Sequence, residues 1–86
     1  MANYCVVGSG RQGTAAAYDI IRFASPDRVS IIDANIENLN QCASTIKKLT
    51  NFNIDKLVLD IKDQEKTIEA LKDVDIFLSS VPYPLN

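Results

Sequence analysis

The sequence predicts an α/β fold in which a parallel sheet carries helices on its faces, and three observations lead to it. Short β-branched apolar runs alternate with helix-length amphipathic segments along the 86 residues. A glycine-rich loop, Gly8-Ser9-Gly10-Arg11-Gln12-Gly13, stands between the first such run and the first helical segment. The second run closes on an acid, Asp33.

Taken in order, Tyr-Cys-Val-Val at Tyr4 to Val7 reads as a strand buried on both faces, stopped by Gly8. Ala17, Ile20, Ile21 and Ala24 then recur at helical spacing, and Pro26 ends that helix near Phe23 or Ala24 because the residue before a proline is driven out of the α region. Arg28 to Asp33, with Val29, Ile31 and Ile32, is the second strand. Asn35 caps a helix from about Asn35 to Leu49, whose stripe is Ile36, Leu39, Cys42, Ala43 and Ile46, and Lys47 and Lys48 complement its negative end. Lys56 to Leu59 forms a third strand, and Asp63 caps a brief helix with Ile68 and Leu71 facing inward. Val74 to Val81 is a fourth strand, stopped by Pro82 and Pro84.

Right-handed crossovers between these strands give one domain, residues 1–86, of Rossmann type: a parallel sheet in the order 3-2-1-4 with flanking helices. Such sheets commonly continue to about six strands, so the expectation is the truncated first half of a larger unit. A fourth strand as apolar as Ile76-Phe77-Leu78 at a sheet edge calls for cover or for pairing with another copy.

Bulk composition narrows the function classes. A net charge of −2 and an isoelectric point near 4.8 leave no basic stripe for a nucleic-acid backbone. No apolar run is long enough for a membrane span and no leader pattern opens the chain, so a cytoplasmic location is expected. Without histidine, and with Cys5 and Cys42 far apart, the residues assemble neither a zinc site nor a Cys/His nucleophile; both thiols are expected to be buried.

The loop carries the chemistry. Gly8 permits the tight turn, Gly10 lets a pyrophosphate approach the backbone, and Gly13 allows close packing of the helix on the sheet. Free amides of the first helical turn, around Arg11 and Gln12, then face the phosphates at the positive end of the helix dipole, and Ser9 in the loop and Ala34 beyond the acid are expected to border the cofactor with them. A triphosphate-hydrolysing loop would need Lys followed by Ser or Thr after its second glycine, and that pattern is absent. Asp33 lies 20 residues beyond Gly13 at the end of the second strand, where a carboxylate accepts from the adenosine ribose hydroxyls. A 2′-phosphate there would meet a like charge, and Ala34 and Asn35 bring no cation, so NAD is expected over NADP. By position, Asp60 and Ile61 border the adenine, and Ser79, Ser80, Val81 and Pro82 border the second ribose. The serine hydroxyls suit nearby backbone equally well, and Arg11 suits solvent as well as the cofactor.

Four segments together resemble the saccharopine dehydrogenase and lysine dehydrogenase family: Val-Val-Gly-Ser-Gly-Arg-Gln-Gly, Ile-Ile-Asp, Leu-Asp-Ile-Lys-Asp and Phe-Leu-Ser-Ser-Val-Pro-Tyr. The resemblance implies a nicotinamide cofactor and the interconversion of an amine and an imine on a lysine-derived amino acid. It places the cofactor on Gly8, Gly10, Gly13, Asp33, the Asp60 region, Val81 and Pro82. The family's catalytic residues belong to a later substrate domain and match nothing in this chain. Several members favour NADP, whereas Asp33 has no Arg or Lys after it. Two other readings compete: an NAD-sensing regulatory domain of a potassium transport system, which shares a similar loop and acid, and an S-adenosylmethionine methyltransferase, which shares the acid at the end of the second strand. The Val81-Pro82-Tyr83 wall disfavours the first, and the full glycine pattern disfavours the second.

Overall fold

The computed structural model describes residues 2–60 and 62–79. Seven elements alternate along the chain: β1 (Asn3–Val7), α1 (Arg11–Ala24), β2 (Arg28–Asp33), α2 (Ile36–Thr50), β3 (Asp55–Val58), α3 (Gln64–Ala70) and β4 (Ile76–Ser79). The strands form one parallel sheet in the order β3-β2-β1-β4, with Val7 opposite Ile32 and Ser79. This is the Rossmann-type arrangement expected from the sequence.

Strand alternation splits the core between two faces. Val6, Val29 and Ile31 meet Ala17 and Ile20 of α1 and Leu39, Cys42 and Ile46 of α2 on one face. Cys5, Val7 and Ile32 face the other way, towards Leu57, Leu59, Ala70, Leu71 and Val74. Both thiols are free and buried, and burial pushes the Cys5 thiol up to about 11 and raises that of Cys42.

Local chemistry sets the helix ends. Ser25 adopts a left-handed conformation (φ 47°) immediately before Pro26, closing α1. Asn35 caps α2 through a bond from the Asn38 amide at 3.1 Å, and left-handed Asn51 closes it by donating to the Lys47 carbonyl. Asp63 caps α3 in the same way, accepting from the Lys66 amide at 3.2 Å.

Three expectations need correction. Ile68 does not face inward but is 70% exposed: α3 buries no residue fully, and the part-buried contacts to the sheet come from Ala70 at its end and from Leu71 and Val74 just after it. β3 begins one residue earlier than its apolar centre implied, since Asp55 pairs with Ser30 and binds Arg28 at 2.7 Å. β4 starts at Ile76 rather than Val74, whose amide instead closes the turn after α3 by donating to the Leu71 carbonyl. Its expected continuation to Val81 lies outside the described residues. The register puts Phe77 beside Cys5 and Leu78 beside Val6, on opposite faces, yet Ile76, Phe77 and Leu78 are each more than 40% exposed.

Candidate functional site

Parallel pairing of β1 and β2 brings their carboxyl ends level, so the glycine loop and Asp33 emerge side by side. Gly8 has a φ of 97°, a conformation that side chains resist, and its amide donates to the Ile32 carbonyl at 2.7 Å. Gly10 begins α1 with an extended backbone and no side-chain cap. The amides of the first turn are therefore left for something outside the helix. Among the described residues, a Cβ built on Gly10 would meet nothing within 4 Å, so none of them fills the space above it. Gly13, by contrast, is buried on the sheet side of α1.

Ser9 is turned inward and only 3% exposed. Its amide and its hydroxyl both donate to Oδ2 of Asp33, at 3.0 and 2.6 Å, while its carbonyl accepts from the Thr14 hydroxyl at 3.1 Å. The other carboxylate oxygen, Oδ1, accepts from the Asn35 amide at 2.9 Å. Partial burial alone would raise the Asp33 pKa, but the bonds from the Ser9 hydroxyl and from the Asn35, Ser9 and Ala34 amides outweigh it and hold the carboxyl below its ordinary value. Asp33 is thus a carboxylate at neutral pH.

Two adjoining clefts share this acid. One, of about 270 Å³, is lined by Gly8 to Gly13 and Asp33. The other, of about 190 Å³, runs between Val7, Gly8, Ile32, Asp33, Ala34, Leu59 and Asp60. Asp60 reaches it on a turn in which its carboxylate accepts from the Lys62 amide at 2.9 Å. Arg11 and Gln12 are exposed at the loop's rim. Of the expected site residues, Gly8, Ser9, Gly10, Arg11, Gln12, Gly13, Asp33, Ala34 and Asp60 therefore converge on these clefts; Ser80, Val81 and Pro82, like Ile61, lie outside the described residues. A larger groove of about 510 Å³ runs from Gly10 and Arg11 down between α1 and α2, past Thr14, Tyr18 and Gln41. Neither this groove nor the Thr14 tie was anticipated, since both arise from how the two helices and the loop pack. Among the described residues no cluster of acids and cysteines could hold a metal ion, and no helix is long and apolar enough to cross a membrane.

The depressed pKa has a measurable consequence. An acid whose folded pKa lies below its unfolded value, 3.8 for Asp33, stabilises the fold above that value and loses the contribution as pH falls through the folded pKa. Urea unfolding at pH 7 and near pH 3 should show a smaller acid-induced loss in Asp33→Asn than in the parent chain. An identical loss would mean that the carboxylate is not held by the fold.

Comparison with individually curated proteins returns no match. A family profile described as "Saccharopine dehydrogenase NADP binding domain" matches residues 4–86, nearly the whole chain, and its nucleotide-binding character agrees with open amides beside an acid at a strand end. The chain belongs to that family, as a dinucleotide-binding domain of oxidoreductase type.

Proposed function

We propose that the chain holds NAD in preference to NADP, as the nucleotide-binding part of a dehydrogenase that interconverts an amine and an imine on a lysine-derived amino acid. The observation that carries the cofactor preference is Asp33, held as an anion at the edge of the loop cleft by hydrogen bonds from Ser9 and Asn35. An ionised oxygen there accepts from a ribose hydroxyl and repels a 2′-phosphate. Arg11 is the one cation of the glycine loop, and in this reading it faces the diphosphate or solvent.

The diphosphate lies over Gly10 and the first turn of α1, and the adenosine half extends past Ala34 and Asp60. The nicotinamide supplies the hydride chemistry, while these residues bind and orient the dinucleotide. The substrate is held by a further domain contributed beyond this chain, and the apolar surface of β4 offers a packing face for it or for a second copy.

Titration calorimetry with both dinucleotides tests the cofactor preference. NAD should bind more tightly than NADP, and Asp33→Ala should weaken NAD by about tenfold, the worth of one charge-assisted hydrogen bond, while narrowing the gap. Equal affinities in the parent chain would remove the preference.

A further inference from the structure

Ser9 lines the cleft, but its polar groups are committed within the protein. Its amide, hydroxyl and carbonyl all have partners within the protein, and it is the one buried polar side chain among the described residues. Its two donors converge on a single oxygen. A carboxylate oxygen has about two acceptor sites, so the two Ser9 donors saturate Oδ2 of Asp33, while Oδ1, which accepts from the Asn35 amide with the Ala34 amide also drawing on the carboxylate, is the oxygen left to meet a ligand.

We propose that Ser9 is a positioning residue for nucleotide selectivity: by saturating Oδ2 it fixes the Asp33 carboxylate so that Oδ1 alone meets the ribose. The proposal rests on the NAD reading above and adds to it the residue that sets the selectivity. The tie spans 24 residues of sequence and links the glycine loop to the end of β2, so the diphosphate and ribose subsites are placed by one contact. Thr14 fixes Ser9 in turn, one helical turn along α1. Without the hydroxyl, Oδ2 gains a vacant acceptor site and the carboxylate is freer to rotate. It also loses a bond that favours its charged form. The other ionisable groups around it are Arg11 on α1 and Asp60 after β3, which line the same clefts, and Cys42 on α2, which senses its charge.

The test combines a ligand-free readout with a binding one in the 86-residue chain. Carbon-13 NMR titration of the Asp33 carboxyl should give a higher midpoint in Ser9→Ala than in the parent, with Ser9→Thr restoring it. Calorimetry should show the NAD-to-NADP affinity ratio shrinking by about tenfold in Ser9→Ala, and not shrinking further when Ser9→Ala is added to Asp33→Asn. Thermal melts establish that each variant is folded, and the double-variant comparison does not depend on Ser9→Thr being tolerated. An unchanged Asp33 midpoint, or equal weakening of both dinucleotides by Ser9→Ala, overturns the proposal while leaving the NAD reading intact. A parent chain that binds both dinucleotides equally, or neither, defeats the NAD reading and the selectivity role together.

Discussion

Gly10→Ala should reduce dinucleotide affinity by roughly a hundredfold, about 2.7 kcal/mol, while leaving the fold almost untouched. The backbone at Gly10 has a φ of −62° and is extended, which alanine adopts freely, and the added methyl meets no other described residue within 4 Å. Alanine caps helices less well than glycine, but it also loses less entropy on folding; each effect is about 0.5–1 kcal/mol and they oppose one another. The methyl would instead stand where a diphosphate must approach the free amides of α1. Gly8→Ala is the contrasting variant, because at a φ of 97° its cost is conformational, about 1–2 kcal/mol or more of stability. Thermal melts and calorimetry on the two variants separate the effects. Undiminished nucleotide binding by a folded Gly10→Ala chain would show that the ligand does not lie over this loop.

Ile31→Ala should cost about 3–4 kcal/mol of stability, within the range for emptying a large aliphatic site in a core. Ile31 is fully buried and packs with Val6, Ala17, Leu39 and Ile46 between the sheet and its two longer helices. A domain of this size has on the order of 5–10 kcal/mol in hand, so much of it would be lost in one step. Ile68→Ala provides the control: the same truncation at a side chain 70% exposed should change stability by less than about 0.5 kcal/mol. Urea unfolding of both variants reads the difference. Comparable losses at the two sites would contradict the division of the core described above.

The contrast between these isoleucines shows what local pattern conveys. Ile31 lies in a β-branched run whose burial follows from run length and its closing acid, and β2 has the expected bounds of Arg28 to Asp33. Ile68 sits in a helix of only seven residues, too short for periodicity to fix which side faces the sheet. Gly8 to Gly13 and Asp33 were legible because the loop's position between strand and helix, and the acid's at a strand end, follow from chain order. The orientation of Ser9 was not legible, since its hydroxyl is committed by a partner 24 residues away that only the β1–β2 register brings near. The same holds for the groove between α1 and α2, which exists only once both helices dock on one face.

The clasp from Ser9 to Asp33 also bears on how the chain finds its fold. Parallel strands joined through a helix cannot zip from a turn, and sliding β2 by one position would exchange Ile31 and Ile32 between two differently shaped clusters and carry the acid away from the serine. Correct threading of the first crossover and a finished nucleotide seat are thus one event, so a bound dinucleotide would act as a template, favouring the aligned strands over their misaligned competitors.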